Sequence, residues 1–246
     1  MTNKAYVFDV DGTLTPSRGK MDFEFNKFFY DFCLLNDVYL CTGSDFPKTV
    51  EQVGNIIYSA SKRVYNCSGN DAYEGFENVY RTEWNLADEP WKYLETKLAE
   101  SNFQQKAGGH FDERPGLLNF SIVGRMCTQQ QRKDYVLYDT YHLERENIAK
   151  EFNAMFGKEH NIMATVAGET GLDITQQGCG KAQILKDFTA YEEIIFFGDK
   201  TMTGGNDHDI AQALIGSGHT VFSVKEWQDT YRILTQIGLY EHEIFH

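Results

Sequence analysis

The chain has 246 residues, with 23 Lys and Arg against 36 Asp and Glu and a formal net charge of −13 at pH 7. This length accommodates one large domain or two modest ones. The negative field repels nucleic acid and anionic membrane, so we expect neither as a partner, and a small anionic substrate would need a local positive pocket. No apolar stretch approaches a membrane span, the first residues do not resemble a signal peptide, and the five cysteines form no Cys-x-x-Cys pair. We therefore expect a cytoplasmic protein with reduced thiols.

The first predicted element, a buried strand over residues 5–10, ends in two carboxylates. Asp9 and Asp11 come at its carboxyl end, before Gly12 and Thr13, and open α/β sheets bind ligands at that end of their strands. Two adjacent carboxylates repel each other unless a cation lies between them, and Mg²⁺ is held by such carboxylates together with a substrate phosphate. An aspartate in this setting can also attack phosphorus. The alternative is that both side chains only cap backbone amides of the turn.

The next segment alternates helices and strands, which predicts a parallel, doubly wound sheet. It contains, in order, a helix over residues 25–35, a strand over 38–41, a helix that includes residues 50–57 and a strand around residues 64–65. Thr42 and Ser44 follow the second strand, where a hydroxyl and the first amides of a helix can hold phosphate oxygens. Ser44 or Asp45 could equally serve as a simple helix N-cap.

The pattern changes between residues 76 and 176. Alternating segments such as residues 117–123 predict antiparallel strands, and a helix follows from about residue 142, with Ile148, Ala149, Phe152, Met155 and Phe156 on one face. Strands of the first type return at residues 193–199 and 220–222. We predict an α/β core formed by residues 1–77 and 177–246, with an inserted α+β cap domain over residues 78–176.

Two further segments supply charges to the predicted strand ends. Lys181 precedes a predicted helix, where its ammonium could neutralise Asp9 and a transferring phosphoryl group, although a lone surface lysine is the commoner case. Residues 198–207 read Gly-Asp-Lys-Thr-Met-Thr-Gly-Gly-Asn-Asp. They end a strand and supply acids for the cation that Asp9 and Asp11 face.

These four segments, taken in order, resemble the signatures of the haloacid dehalogenase-like superfamily of phosphotransferases. The resemblance implies a Rossmann-like core in which Asp9 is the nucleophile and Asp11 the general acid/base. It also implies catalytic roles for Thr42, Ser44 and Lys181. Asp199 is then the strongest candidate for a third Mg²⁺ carboxylate beside Asp9 and Asp11. Asn206 and Asp207 are expected either to coordinate the cation directly or to contact a group that does.

A closer resemblance lies in the insert. Residues 114–125, Arg-Pro-Gly-Leu-Leu-Asn-Phe-Ser-Ile-Val-Gly-Arg, are similar to the signature of the C2b-like cap in eukaryotic-type α-phosphomannomutases, and residues 13–18, 51–54 and 198–207 also resemble that family. The resemblance implies arginines that hold the non-reacting phosphate of the sugar: Arg18 from the core and Arg114, Arg125 and Arg132 from the cap. Guanidinium forks suit phosphate because they donate parallel, charge-assisted hydrogen bonds. Asp173 matches an aspartate that contacts sugar hydroxyls, with a purely structural strand acid as the alternative.

The same resemblance implies one catalytic Mg²⁺, a hexose 1,6-bisphosphate activator, a homodimer joined through the caps and a place in mannose metabolism and GDP-mannose biosynthesis. The chain departs from the family pattern at several positions. Gly171 replaces a serine, Cys179-Gly180-Lys181 replaces Trp-Asp-Lys, and Thr42 stands where glycine is common. The loop after Asp209 lacks the aspartate that holds a second, structural cation in the family, so we expect only the catalytic ion.

Three functions fit this sequence. The first is a hexose-phosphate mutase that passes a phosphoryl group between Asp9 and a sugar, which the arginine set favours. The second is a sugar-phosphate phosphatase that uses the same aspartates and transfers the group to water, which Gly171 and Thr42 favour. The third is a non-catalytic sugar-phosphate binding protein, and the intact Asp9, Asp11, Lys181 and Asp199 argue against it.

Overall fold

Two β-sheets organise the computed structural model, which describes residues 3–243. The larger sheet contains β1 Lys4–Phe8, β2 Asp37–Cys41, β3 Arg63–Asn66, β4 Asp71–Glu74, β5 Glu77–Arg81, β10 Glu193–Gly198 and β11 Thr220–Ser223. The smaller sheet contains β6 Phe111–Arg114, β7 Leu117–Phe120, β8 Ile162–Ala167 and β9 Gly171–Gln176. The helices are α1 Phe23–Leu35, α2 Phe46–Ala60, α3 Asp88–Glu100, α4 Gln129–His142, α5 Glu144–Phe156, α6 His208–Gly216 and α7 Trp227–Glu243, with 3₁₀ turns at Cys67–Gly69 and Lys181–Phe188.

The larger sheet has the order β11-β10-β1-β2-β3-β4-β5, and its first five members are parallel. Side chains alternate across β1, so that Tyr6 and Phe8 pack in a core with α1, α2 and α7, whereas Ala5 and Val7 pack in a second core on the other face. Helical segments therefore cover both faces. This confirms the predicted doubly wound α/β core and explains why its strands read as continuous apolar runs.

The edge of this sheet extends further along the chain than the predicted core segment. Strand β4 pairs antiparallel with β3, and β5 pairs antiparallel with β4. The predicted boundary between residues 77 and 78 falls inside β5, and the strand pairing carries the larger sheet to Arg81.

The smaller sheet has the order β6-β7-β9-β8 and is antiparallel throughout. Its core includes residues of α3, α4 and α5. The helix predicted from residue 142 is α5; Ile148, Ala149, Phe152 and Phe156 are buried on it, but the prediction for Met155 is wrong because that side chain is exposed.

Helix α4 was not predicted from the sequence. A capping box between Thr128 and Gln131 begins it. Its buried positions are Arg132, Tyr135 and Asp139, so polar residues stand where an apolar stripe would have indicated a helix.

Across residues 3–243, none of the helices combines the length and apolar character that crossing a bilayer requires.

Candidate active site

Asp9 lies at the centre of the carboxyl edge of the larger sheet. It follows β1, the strand between β10 and β2, and its N–H donates to the carbonyl of Phe197 at 2.9 Å. The loops that leave these three neighbouring parallel strands therefore meet around its carboxylate. Thr13 Oγ1 donates to Asp9 Oδ2 at 3.2 Å.

Lys181 joins Asp9 to Asp207 in the interior. The lysine is 1% exposed, and its Nζ lies 2.5 Å from Asp9 Oδ1 and 2.6 Å from Asp207 Oδ1. Burial lowers the pKa of Lys181, but the charges of Asp207 and Asp9 outweigh this effect and hold it well above its ordinary value. The ammonium thus stays charged. Lys181 begins a 3₁₀ helix rather than preceding an α-helix as predicted.

Three carboxylates form a candidate cation site. One oxygen from each of Asp9, Asp199 and Asp207 lies within 4.8 Å of the others. Burial raises the pKa of Asp9 despite the opposing charge of Lys181, and Asp207 and Asp199 raise it further. The three carboxylates carry more negative charge than the single ammonium of Lys181 balances. Such oxygen donors fit a hard divalent cation such as Mg²⁺.

Gly12 permits the approach of Asp199 to this group. Its φ is +85°, and a Cβ there would lie 2.6 Å from Asp199 Oδ2. A larger residue would therefore be strained and would also push the carboxylate away.

Asp11 lies outside the three-carboxylate group. Its Oδ1 accepts hydrogen bonds from Gln52 Nε2 at 2.8 Å and from the N–H of Arg18 at 2.5 Å. The predicted ligands Asp9, Asp199 and Asp207 are thus brought together, whereas Asp11 does not belong to the carboxylate group found among the described residues. Its place suits the predicted proton-transfer role better than metal binding.

Thr42 and Ser44 lie on the turn after β2, and both are buried. The N–H of Ser44 donates to Thr42 Oγ1 at 3.1 Å. Asp45 is the N-cap of α2, since its carboxylate accepts from the N–H of Lys48 at 3.0 Å. Of the two predicted caps, Asp45 is therefore correct, and Ser44 is left to face the cavity.

A cavity of about 540 Å³ lies between the two sheets and joins the predicted residues. Its lining includes Asp9, Asp11, Arg18, Thr42, Ser44, Arg114, Arg125, Arg132, Asp173, Asp199 and Asn206. Lys181 and Asp207 do not line it but lie behind Asp9, since Lys181 contacts both carboxylates.

The four arginines form the local positive pocket expected in this acidic chain. Arg114 extends from β6 to the core, where its Nη1 donates to the carbonyl of Gly43 at 2.6 Å. Burial and the charge of Arg114 lower the pKa of Arg125 to about 10, and burial and the charge of Arg132 lower the pKa of Arg18. Because these cations repel one another, a bound anion would stabilise the set.

Asp112 holds two of the cap arginines. Its Oδ2 lies 2.5 Å from Arg114 Nη2 and 3.2 Å from Arg125 Nε. Burial lowers the pKa of Arg114, but the hydrogen bond and charge of Asp112 outweigh it and raise the pKa above its ordinary value. Arg132 has a weaker partner, Glu169, at 3.3 Å.

Asp173 is paired across the cap sheet with Asn119, whose Nδ2 donates to Asp173 Oδ1 at 2.6 Å. Burial raises the pKa of Asp173, against the opposing charge of Arg114. A Cβ at Gly171 would lie 2.7 Å from Asn119 Nδ2. Glycine at this departure from the family pattern therefore leaves room for the Asn119 amide.

Sequence reasoning did not identify Asn119, Asp112 and Gln52 as site residues. Gln52 and Asn119 did carry a signal, because each is a polar side chain at a position where the pattern places it in the core. Gln52 lies between the buried positions Thr49 and Val53 of α2, and Asn119 lies in the wholly buried strand β7. Buried amides of this kind are expected to have hydrogen-bond partners.

Comparisons with known proteins identify relatives of this chain. The sequence profile of the family described as eukaryotic phosphomannomutase matches residues 25–239. Phosphomannomutases of Solanum lycopersicum and Spinacia oleracea are each 32% identical to this chain, with 89% and 96% of both chains covered, respectively. The phosphomannomutase of Drosophila melanogaster is also 32% identical, with 94% of both chains covered.

Two solved structures illustrate the similarity of the fold. A Plasmodium falciparum IMP-nucleotidase superposes with a TM-score of 0.64 at 14% identity, covering 96% of this chain and 68% of the other. A trehalose-6-phosphate phosphatase related protein gives a TM-score of 0.57 at 14% identity, covering 97% and 99% of the two chains. At this identity the likeness concerns the fold alone.

Proposed function

Because the chain belongs to the eukaryotic phosphomannomutase family, we propose that it is a Mg²⁺-dependent hexose-phosphate mutase. It interconverts the 1- and 6-phosphates of mannose or glucose through an aspartyl-phosphate on Asp9. One observation carries the proposal: a single cavity joins Asp9 on the core to the arginines of the cap. A sugar with two phosphates needs a site with both a nucleophile and a separate anion grip.

In the first step, Asp9 carries the phosphoryl group and a sugar 1-phosphate is bound. The 6-hydroxyl oxygen attacks phosphorus, its proton passes to Asp11, and the bond between phosphorus and Asp9 breaks. The products are the 1,6-bisphosphate and free Asp9. Arg114 and the other arginines hold the 1-phosphate during this transfer.

In the second step, the bisphosphate has turned, so that its 1-phosphate faces Asp9 and its 6-phosphate lies on the arginines. Asp9 attacks phosphorus, the bond between phosphorus and the sugar O1 breaks, and Asp11 returns its proton to O1. The sugar 6-phosphate leaves and Asp9 is again phosphorylated. The buried Lys181 keeps Asp9 oriented through the step.

Asp9, Asp199 and Asp207 are the residues that would hold Mg²⁺. A bound Mg²⁺ would offset negative charge on the phosphoryl oxygens. Asp11 was also predicted as a ligand, and its position outside the carboxylate group found among the described residues favours the acid/base role instead.

The mutase and the phosphatase differ in the acceptor of the phosphoryl group. To distinguish the mutase from the phosphatase, the protein is incubated with mannose 1-phosphate, Mg²⁺ and a catalytic amount of hexose 1,6-bisphosphate. The phosphorylated products are followed by ³¹P NMR. We expect mannose 6-phosphate to accumulate, and glucose 1-phosphate in a parallel sample ranks the two sugars. Accumulation of inorganic phosphate alone would instead indicate a phosphatase.

Two variants complete this experiment. Asp9→Asn should abolish both products because it removes the nucleophile. Asp31→Asn carries the same change on an exposed face of α1 and should retain full activity. Activity in Asp9→Asn equal to that of the unchanged protein would contradict the aspartyl-phosphate route.

The bisphosphate in that experiment is also the proposed activator. It would phosphorylate Asp9 at the start and whenever hydrolysis discharges the enzyme. Omitting it should therefore produce a lag or lower the initial rate.

The finer proposals concern assembly and location. Exposed apolar side chains on and between α4 and α5 support a homodimer joined through the caps: Leu137, Tyr141, Leu143 and Met155. Light scattering should then give twice the chain mass, and the double variant Leu137→Glu/Tyr141→Glu should be monomeric.

The five free cysteines support a reducing compartment such as the cytoplasm, where the product would enter mannose metabolism and GDP-mannose biosynthesis.

A further inference from the structure

In the described part of the chain, hydrogen bonds hold the carboxylate of Asp11 through one of its two oxygens. Oδ1 accepts hydrogen bonds from Gln52 Nε2 at 2.8 Å and from the N–H of Arg18 at 2.5 Å. Among the side chains that the structure describes, those of residues 3–237, none donates a hydrogen bond to Oδ2. Since Asp11 lines the cavity, Oδ2 is the oxygen left to exchange a proton with a substrate.

Gln52 is itself fixed at both ends of its amide. Its side chain is 1% exposed. Nε2 also lies 3.3 Å from Thr15 Oγ1, and Oε1 accepts from Ser44 Oγ at 3.4 Å. Because a carboxylate only accepts hydrogen bonds, the NH₂ of the amide must face Asp11.

The backbone around Gln52 is anchored by a break in α2. Gly54 has φ 81° and ψ 157°, which interrupts the helix two residues after Gln52. The freed carbonyls find other donors: the N–H of Met21 donates to Gln52 O at 2.8 Å, and Asn26 Nδ2 donates to Val53 O at 3.0 Å. Nothing lies within 4 Å of a Cβ built on Gly54, so the glycine is required by its conformation and not by crowding.

We infer that Gln52 is a positioning residue for the proton transfer of the proposed mutase. Its amide and the N–H of Arg18 fix Asp11 Oδ1 and thereby aim Oδ2 at the sugar oxygen that gains or loses a proton. The inference rests on the proposed function, because it assigns Asp11 the acid/base role. It also links that role to the phosphate grip, since Arg18 contributes its backbone to Asp11 and its guanidinium to the arginine set.

The test replaces the amide by an apolar side chain of similar size, Gln52→Leu, with Gln52→Met as the second variant if the first is poorly folded. General acid/base catalysis contributes about 10²–10⁴-fold to the reaction rate. Loss of the alignment of Asp11 should lower kcat by a factor on the order of 10–100. KM for mannose 1-phosphate should change less than about twofold, because the side-chain hydrogen bonds of Gln52 in the described part of the chain go to Ser44, Asp11 and Thr15 and not to the arginines that hold the phosphate. Gln212→Leu, the same substitution on an exposed face of α6, should match the unchanged protein.

A second readout separates positioning from general damage to the site. p-Nitrophenyl phosphate can phosphorylate Asp9 without an acid, because nitrophenolate leaves without a proton. Gln52→Leu should therefore release the first equivalent of nitrophenolate, which forms as Asp9 is phosphorylated, at a rate close to that of the unchanged protein in a stopped-flow measurement while its mutase kcat falls. If the unchanged protein does not release nitrophenolate from this compound, the split between kcat and KM decides alone.

The outcomes are distinct. Equal losses in both reactions, a change confined to KM, or an unchanged kcat would overturn the role of Gln52. Absence of mutase activity in the unchanged protein would instead overturn the proposed function.

Discussion

Replacing Lys181 with methionine should strongly destabilise this protein. Methionine keeps most of the length of the side chain but removes the ammonium that lies 2.5 Å from Asp9 and 2.6 Å from Asp207. The side chains of Lys181, Asp9 and Asp207 are 0%, 4% and 0% exposed, respectively. Water therefore cannot replace the lost partner of Asp207, which does not line the cavity.

The size of the effect follows from this burial. Removing one partner of a buried ion pair costs about 3–5 kcal/mol, because it leaves an uncompensated charge in the interior. Two carboxylates lose their partner here, which places the loss in the upper part of that range, and proton uptake by Asp9 limits it. In urea, where m is about 1–3 kcal/mol per molar, the unfolding midpoint should fall by at least about 1 M.

Equilibrium urea unfolding, followed by circular dichroism at pH 7 in EDTA, measures the loss. The chelator is needed because a divalent cation would neutralise the same carboxylates. Lys225→Met is the matched control, since Lys225 is exposed and forms no salt bridge in the described part of the chain; its effect should stay within about 0.5 kcal/mol. A loss below about 1 kcal/mol in Lys181→Met would refute the view that one buried ammonium compensates these carboxylates.

Three further predictions follow from other parts of the structure. Gly12→Ala should raise the Mg²⁺ concentration needed for half-maximal activity by at least about tenfold, because its Cβ would lie 2.6 Å from Asp199 Oδ2. The control Gly75→Ala, at a glycine with positive φ but open space around it, should lower only the melting temperature. Equal Mg²⁺ requirements in Gly12→Ala and the unchanged protein would contradict the argument. Arg114→Gln should raise KM for mannose 1-phosphate about 10–100-fold, the value of a lost charged hydrogen bond of about 1.5–3 kcal/mol, and an unchanged KM in initial-rate assays would exclude Arg114 from the phosphate grip. Burial raises the pKa of Cys33 and Cys41 to about 12, whereas unfolded thiols ionise near pH 8.5, so these groups stabilise the fold below that pH and the stabilisation is lost as the pH rises towards 12. Urea midpoints should therefore fall between pH 8 and pH 10, and Ellman's reagent at pH 8 should react first with the partly exposed thiols, Cys127 and Cys179; a rising midpoint or five equally fast thiols would contradict this.

Local patterns in the sequence predicted much of the architecture. Short apolar runs closed by turn residues located β1, β2, β3, β10 and β11, and helical spacing located α1 and α2. The family resemblance was confirmed by the match over residues 25–239. These features were readable because strand burial and amphipathic spacing depend on neighbouring residues.

Other elements were hidden because tertiary packing overrides local pattern. Helix α4 buries Arg132 and Asp139 instead of an apolar stripe. Asp139 accepts from Arg145 Nε at 2.8 Å, and Arg132 faces the cavity. A buried polar residue is stable only with such partners, and the sequence does not display partners that lie far along the chain.

The sequence by itself determined the chemical groups of the candidate site: the aspartates, the lysine and the arginine set, each in a recognisable segment. Only the tertiary structure decided how they combine. Lys181 meets Asp9 across 172 positions of chain, Arg114 meets Gly43 across 71, and Asp11 is held by Gln52 rather than by the acidic cluster. Carboxylates adjacent in sequence need not share a partner, because side-chain direction depends on the backbone around each residue and on the donors that folding brings to it.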